Sequence, residues 1–328
     1  MTNYTNKHGI ALPMAVWLTR DTYDYVKDPN YISATQFSKP MRELVLSAQH
    51  DIEPTIDIAS QIPSRLGTTI HDGIEQAWLN DPHTAMLALG YPESVVNRIL
   101  VNPNKADIQD DSICIYLEQR SIREFNGFKI GGKFDFVMEG KVQDFKTTST
   151  YAYMLGSSDQ KHLLQGSIYR WLNPELITQE TMTIHYLFTD WSKGSYVQQK
   201  DKGYPELRVA QKELPLLSLE ETEEYIRKRL DTFTHLKTFS QGELPQCTPE
   251  ELWQGESVFK YYKKAGAARS TKNFTSLSEA NERLFNDGSV GQVVEVKGKI
   301  TYCKFCSAAD VCTQKDKYIE EGTLVFED

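Results

Sequence analysis

The sequence has no apolar run long enough to cross a bilayer as a helix. Its longest apolar stretches, at 11–18 and 85–90, fall well short of the roughly 20 residues that a span needs. The N-terminus also lacks a basic segment followed by an apolar stretch and a small-residue cleavage site, so we expect no secretory signal and a cytoplasmic location. No internal repeat or low-complexity tract is present, and 40% apolar and 25% charged residues are ordinary for a soluble globular protein.

Positive charge is in the minority, since 36 Lys and Arg against 45 Asp and Glu give a net charge of −9. This balance argues against a surface that binds nucleic acid nonspecifically over its whole extent. One local strip, from Ser257 to Ser278, contains no acid. It carries Lys260, Lys263, Lys264, Arg269 and Lys272, interleaved with Phe259, Tyr261, Tyr262 and Phe274. Such cations suit phosphates and such rings can stack on unpaired bases, whereas the alternative is a solvated surface with the rings buried beneath it.

Charged residues converge on one predicted β-hairpin, from Gly131 to Thr148. Asp144 and Lys146 are two apart on a strand and therefore share a face. If Glu139 and Gly140 form a two-residue loop, Asp135 lies opposite Asp144 on that face. Two carboxylates and an amine can hold a hard cation and leave the lysine to position a water against a phosphate. The alternative is a solvated hairpin with a charged face.

Hydrophobic periodicity predicts strands at 113–125 and 182–191 and helices that begin near 33 and 62 or span 91–102, 162–172 and 219–239. Strands enclosed by helices predict an α/β fold with a central mixed sheet flanked by helices.

Two of the predicted helices carry polar pairs at four-residue spacing. His71 and Glu75 share one helix face, and Gly67, one turn earlier, would allow close approach of another backbone. Gln165 and Tyr169 share a face of a later helix. A helical histidine is most often a hydrogen-bonded core or surface residue, so a ligand role for His71 depends on the hairpin.

The order of these motifs, from about Ser33 to Trp191, resembles the RecB-type branch of the PD-(D/E)XK nuclease superfamily, and most of all the exonuclease-like proteins of phages and prophages. The resemblance implies a restriction-endonuclease-like core. It implies metal ligands at His71, Asp135, Asp144 and the Phe145 carbonyl, a catalytic lysine at Lys146, an acid near the metal at Glu75, and substrate contacts by Gln165 and Tyr169. Lys133 stands where the name pattern has an acid, which is common in RecB-type members.

The implied function is a DNA exonuclease that uses one or two Mg²⁺ or Mn²⁺ ions to hydrolyse phosphodiester bonds at ends or on single strands. Its expected setting is phage or bacterial recombination, repair or DNA processing, with DNA and a recombination protein as partners. The alternatives are a nuclease-fold binding module without catalysis, a CRISPR-type end-trimming enzyme and a structure-specific endonuclease. The intact Asp135, Asp144 and Lys146 favour an enzyme. No sequence motif indicates the polarity of cleavage, the preference for single or double strands, or the oligomeric state.

Clustered cysteines predict a second metal site. Cys303, Cys306 and Cys312 form C-x2-C-x5-C, and Cys247 is the best fourth ligand, because Cys114 falls in a predicted strand and is expected to be a small buried residue. The spacing resembles the cluster of iron-sulfur nucleases such as the helicase-nuclease AddB and the CRISPR adaptation nucleases, although there the first cysteine precedes the nuclease motifs. A [4Fe-4S] cluster is favoured over zinc, with unliganded thiols as a third alternative.

These features predict three consecutive regions. They are a mainly helical N-terminal region at 1–60, the nuclease core at 61–240, and a C-terminal segment at 241–328 that holds the cysteines and the basic strip.

Overall fold

Helices and strands alternate along much of the chain, as the periodicity predicts. The computed structural model describes residues 3–53 and 55–326. Within these residues the helices are α1 (Leu12–Thr19), α2 (Met41–Gln49), α3 (Ile62–Asn80), α4 (Pro82–Ala88), α5 (Glu93–Val96), α6 (Thr150–Leu155), α7 (Asp159–Leu172), α8 (Lys193–Gln199), α9 (Leu219–Leu236), α10 (Leu277–Asn286) and α11 (Thr313–Glu320). The strands are β1 (Asn3–Thr5), β2 (Tyr31–Ser33), β3 (Thr55–Asp57), β4 (Ile99–Val101), β5 (Ile113–Phe125), β6 (Phe128–Met138), β7 (Lys141–Thr148), β8 (Thr181–Phe188), β9 (Val209–Pro215), β10 (Val258–Tyr262), β11 (Lys272–Phe274) and β12 (Gln292–Val296).

A mixed seven-stranded sheet forms the centre of the α/β fold, which confirms the predicted fold class. Its order is β4-β5-β6-β7-β8-β9, and β2 pairs with the first half of β6. The β4–β5, β7–β8 and β2–β6 pairs are parallel, whereas β5–β6, β6–β7 and β8–β9 are antiparallel. The strand predicted at 113–125 is confirmed as β5. The helix predicted at 91–102 is wrong, because only the single turn of α5 forms before β4 pairs with β5.

Two apolar clusters pack on this sheet. One contains Phe134 and Val137 with Trp171 of α7, and the other contains Phe136 with Trp78 of α3. Phe134 and Phe136 are two residues apart on β6 and would share a face of a regular strand, yet they lie in different clusters. The regular alternation of β6 is therefore broken at the intervening residue, which is Asp135.

Small residues let two helices approach the sheet closely. A Cβ added at Gly67 of α3 would lie 3.3 Å from Thr147 Oγ1 on β7, and one added at Gly132 of β6 would lie 2.7 Å from the Tyr169 ring on α7. A Cβ at Gly166 would lie 2.4 Å from Met182 Sδ on β8. The neighbour of Gly67 is thus a side chain and not the backbone that the sequence predicts, and α3 and α7 both pack on strand β7 or its neighbours.

The chain divides into two compact units. Unit 1 comprises Met1–Ser38 and Glu53–Thr232, and unit 2 comprises Lys39–Ile52 and Phe233–Asp328. This division differs from the three predicted regions, because helix α2 belongs with the C-terminal segment and the region at 1–60 contains strands β1, β2 and β3 besides its two helices. In the described part of the chain, no helix combines the length and apolar character that crossing a membrane requires.

Unit 2 contains a three-stranded antiparallel sheet in the order β11-β10-β12, with α10 between β11 and β12 in the chain. Val45 and Leu46 of α2 pack with Leu236, Leu244 and Ala308. A second cluster contains Leu252, Ile300, Leu324 and two of the cysteines. The segment from 39 to 52 is thereby part of the same core as the cysteine-bearing C-terminus.

Candidate active site

The hairpin that carries the predicted site has the register expected from its turn. Glu139 and Gly140 have φ values of 49° and 77°, the left-handed conformations that a two-residue hairpin loop uses. Met138 pairs with Lys141, Val137 with Val142, and Phe136 with Gln143. Asp135 and Asp144 come next in this register but do not form a ladder pair, since the alternation of β6 breaks at Asp135.

A histidine and two acids converge beside the hairpin. Within the described residues, one group of three His, Cys, Asp or Glu side chains has its ligand atoms within 4.8 Å of one another, and it consists of His71, Glu118 and Asp135. His71 Nδ1 lies 3.4 Å from Asp135 Oδ2 and 3.9 Å from Glu118 Oε1. Its Nε2 lies 2.8 Å from the Phe145 carbonyl oxygen, and the Phe145 N–H donates to Asp135 Oδ2 at 3.0 Å. The structure thus brings together three of the predicted ligands, His71, Asp135 and the Phe145 carbonyl.

Asp144 is outside this group and faces Lys146. Its side chain is 1% exposed and forms an ion pair with the lysine ammonium. Apart from that ion pair, neither carboxylate oxygen has a hydrogen-bond partner among the residues that the structure describes. A buried carboxylate normally has its lone pairs satisfied, so the free acceptor capacity of Asp144 fits a hard cation with oxygen ligands.

The electrostatics of the site also fit a cation. Burial, followed by the negative charge of Asp144, raises the pKa of Asp135 to about 7. Burial alone would lower the pKa of Lys146, but the carboxylates of Asp144 and Asp135 raise it overall. The same competition acts on His71, where burial lowers the pKa and the acids Glu118 and Asp135 raise it to a net increase. Bound positive charge would favour the ionised form of Asp135, which burial and the charge of Asp144 oppose.

Glu118 is a site residue that the sequence analysis missed. Leu117 pairs with Phe136 and Gln119 with Phe134, which places Glu118 opposite Asp135. The Glu118 backbone has φ 52°, a left-handed conformation that a non-glycine residue adopts at a cost of about 1–2 kcal/mol. Its carboxylate also forms an ion pair with Lys133, the residue that stands in place of an acid in the name pattern. Glu118 of β5 therefore supplies a second acid beside Asp135, whereas β6 has Lys133 at the position where the name pattern has an acid.

The remaining predicted residues lie around this centre. Gln165 Nε2 donates to Tyr169 Oη at 2.6 Å on the buried face of α7. Burial, with added repulsion from Asp144 and Asp135, raises the pKa of Tyr169 far above its usual range, so its phenol is a neutral donor beside the acids. Glu75 on α3 is not in the ligand group. Burial and the charge of Glu118 raise the pKa of Glu75, which puts it near the group without a direct contact.

A cleft of about 400 Å³ opens beside the site. His71, Phe145 and Lys146 line one end, and His185 and Gln211 line the continuation across β8 and β9. His185 stacks on the Phe145 ring with centroids 5.4 Å apart and an interplanar angle of 28°. The cleft gives a ligand access to the same lysine that pairs with the buried Asp144.

No family model matches this chain, and a search of the curated proteins finds no match. Among solved structures, that of SSO0001 is similar with 17% sequence identity, covers 64% of this chain and 79% of its own, and has a TM-score of 0.37. At this TM-score the likeness supports no conclusion about fold or function.

In unit 2, four cysteines line a single cavity, as the spacing of the motif predicts. They are Cys247, Cys303, Cys306 and Cys312, whereas Cys114 lies apart on β5. No three of their sulfurs lie within 4.8 Å of one another. Four thiolates on a single zinc ion would be about 3.8 Å apart at tetrahedral Zn–S distances. Four sulfurs around one cavity are a donor set that a zinc ion or an iron-sulfur cluster can use.

Buried charges from α2 surround these cysteines. Arg42, 5% exposed, donates from Nε to Cys312 Sγ at 3.4 Å and from Nη1 to the Leu244 carbonyl at 3.2 Å. Glu43, 2% exposed, accepts from Tyr302 Oη, and from Ser307 Oγ at 2.7 Å. No sequence motif singles out these two residues. Both are buried because the cysteine segment supplies hydrogen-bond partners.

Proposed function

We propose that this protein is a Mg²⁺- or Mn²⁺-dependent deoxyribonuclease that acts on DNA ends. The observation that carries the proposal is the buried carboxylate of Asp144, which is satisfied only by Lys146 and lies near a second acid, Asp135, that resists ionisation. A structural hairpin requires none of these features. His71, Glu118 and the Phe145 carbonyl complete a set of nitrogen and oxygen donors suited to a hard cation.

The chemistry that such an ion supplies when bound is polarisation of the scissile phosphate and a lower pKa for an attacking water. His71, Glu118 and Asp135 would hold it, and Asp144 would contribute its free oxygens. Lys146, kept charged by the two acids, would orient the water and offset the negative charge that develops on the phosphate. The neutral Tyr169 and Gln165 would donate hydrogen bonds to substrate oxygens from α7.

The resemblance and the site together support an exonuclease of recombination, repair or DNA processing in the cytoplasm. We also propose that Cys247, Cys303, Cys306 and Cys312, which line one cavity, hold a [4Fe-4S] cluster rather than zinc, because their spacing resembles that of iron-sulfur nucleases. Its role would be structural, as an anchor of the C-terminal segment.

Cleavage of end-labelled single-stranded, blunt duplex and circular DNA with Mg²⁺ or Mn²⁺ tests the nuclease proposal. Wild type should degrade linear DNA and leave closed circles intact. Asp144→Asn and Lys146→Met should each lose activity by at least about a thousandfold, the scale expected when a transition-state charge loses its partner. Lys200→Met, at an exposed lysine outside the site, is the matched control and should cleave like wild type.

Folding of each variant is checked by circular dichroism, so that lost activity is not mistaken for lost structure. Undiminished cleavage by both Asp144→Asn and Lys146→Met would contradict the proposed site. Absence of cleavage by wild type with either metal would instead favour a nuclease-fold binding module.

A further inference from the structure

The predicted basic strip forms the hairpin between strands β10 and β11. The Tyr261 carbonyl accepts from Thr271 N–H at 2.7 Å, and Thr271 Oγ1 accepts from Lys263 N–H at 3.0 Å. These bonds close the base of a loop that projects from the three-stranded sheet. At the tip, residues 265–268 are Ala, Gly, Ala and Ala, and all are exposed. A tip of such small residues lets an extended ligand approach the backbone.

Four of the five cations of this hairpin are exposed, and Lys260 is partly buried. Lys263, Lys264 and Arg269 lie in the loop and are exposed, and Lys260 and Lys272 flank it on the strands. Across the part of the chain that the structure describes, none of the five forms an ion pair with an acid, although the whole chain carries a net charge of −9. Lys272 lines a groove together with Glu279 and Glu282 of α10. A cluster of unpaired cations on an acidic protein provides a localised attraction for anions.

The aromatic residues of the strip do not provide a surface for stacking bases. Tyr261 is fully buried, and its hydroxyl donates to Asp287 at 2.9 Å. Phe259 pairs with Phe274 across the two strands and is partly buried, as is Tyr262. The hairpin therefore offers charge without exposed aromatic rings, which suits contacts to phosphates and provides no means of recognising bases.

We propose that this basic hairpin, residues 260–272, binds the phosphate backbone of DNA without regard to base sequence. The inference rests on the proposed function, since it names the surface by which unit 2 engages the substrate of the nuclease site. Lys263, Lys264 and Arg269 contact phosphates, and the small residues between them let the DNA backbone lie close to the loop. The two flanking lysines add to the local potential.

The test is a salt titration of DNA binding by the full-length protein. Fluorescence anisotropy with labelled single strands and duplexes of mixed sequence is measured in EDTA, which prevents cleavage, from 50 to 300 mM NaCl. Each phosphate contact contributes about 0.7 to 0.9 to the slope of log affinity against log salt, so Lys263→Gln/Lys264→Gln/Arg269→Gln should flatten the slope by about 2 to 3. The loss of these three phosphate contacts should also lower the affinity at 150 mM salt by about 100-fold.

Lys193→Gln/Lys200→Gln/Lys202→Gln is the matched control, because it removes the same charge from exposed cations of unit 1. It should keep the wild-type slope. Hydrolysis of bis(p-nitrophenyl) phosphate with Mn²⁺ should be unchanged in the hairpin variant, because this small ester has no extended phosphate backbone for the hairpin to bind.

An unchanged slope in the hairpin variant overturns this inference and leaves the nuclease proposal intact. An equal loss of slope in the control variant also overturns it, because the attraction then reflects total charge. Lack of hydrolysis of both DNA and the small ester by wild type is the separate failure that removes the nuclease proposal.

Discussion

Replacing Asp135 with asparagine should stabilise the metal-free protein at neutral and alkaline pH, because the carboxyl group is costly to ionise in its position. The side chain is 12% exposed, and burial, followed by the charge of Asp144, raises its pKa to about 7. An aspartate in an unfolded chain has a pKa of about 3.9. A difference of about 3 pH units corresponds to about 4 kcal/mol between the protonation states.

The folded protein holds the proton of Asp135 more tightly than the unfolded chain does, and this sets the direction in which stability changes with pH. Because the folded pKa is raised, the favourable contribution of protonated Asp135 is fully present below about pH 4 and is lost as the pH rises to about 7. The Asp135→Asn side chain stays neutral and keeps an oxygen to accept the Phe145 N–H. We expect equal stability near pH 4 and an advantage of up to about 4 kcal/mol for the variant at pH 8. For a unit of this size that is a rise of about 10 °C in Tm.

Thermal unfolding followed by circular dichroism in EDTA at several values between pH 4 and 8 measures this difference. Asp201→Asn, at an exposed position of unit 1, is the matched control and should follow wild type throughout. Added Mg²⁺ at pH 8 should raise the Tm of wild type more than that of Asp135→Asn. Equal melting temperatures of wild type and Asp135→Asn at pH 8 in EDTA would refute the reasoning that the Asp135 carboxyl group is costly to ionise without a bound metal.

Two further predictions concern residues that the sequence analysis did not single out. Glu118→Gln should weaken Mn²⁺ binding by at least about tenfold in isothermal titration calorimetry, because it removes one charged donor of the ligand group; an unchanged affinity would place Glu118 outside the site. Anaerobically purified protein should contain iron and sulfide, and Arg42→Met should release them to a chelator about tenfold faster than wild type, because the thiolate of Cys312 loses its charged donor. Equal release rates would mean that Arg42 is only a packing residue, and zinc without iron would contradict the cluster.

The sequence predicted the parts of the site that depend on local rules. Glu139 and Gly140 fixed the register of one hairpin, and helical spacing placed His71 on the face that meets it. The neighbouring turn, Asn126-Gly127, also has two left-handed residues, with φ values of 49° and 79°. Counting outward from that turn would have placed Glu118 opposite Asp135, because Asn-Gly is the strongest short hairpin signal.

Other features were beyond local rules. The side chains of β6 stop alternating regularly between the two faces of the sheet at Asp135. The alternation of a regular strand therefore does not predict which cluster Phe136 joins. Residues 99–101 belong to the segment 91–102, which the periodicity predicts to be helical. They pair instead with residues 113–115 as a strand, and this tertiary pairing overrides the local preference. Arg42 and Glu43 resemble the solvent side of an amphipathic helix. Besides the local ion pair of Glu43 with Lys39, their hydrogen-bond partners are distant in the chain, which local rules do not predict.

Unit 2 is built from two segments, 39–52 and 233–328, that are made at different times during synthesis. Helix α2 leaves the ribosome early, but the partners of Arg42 and Glu43 at 244–313 are made after the whole of 53–232. At about 5–20 residues per second, that intervening stretch takes roughly 10 to 40 s to translate. Throughout this interval Arg42 and the apolar side of α2 lack these later partners, and Glu43 keeps its ion pair with Lys39. The cavity lined by the four cysteines can therefore form only after residues 244–313 have been made, when unit 1 has already had time to fold.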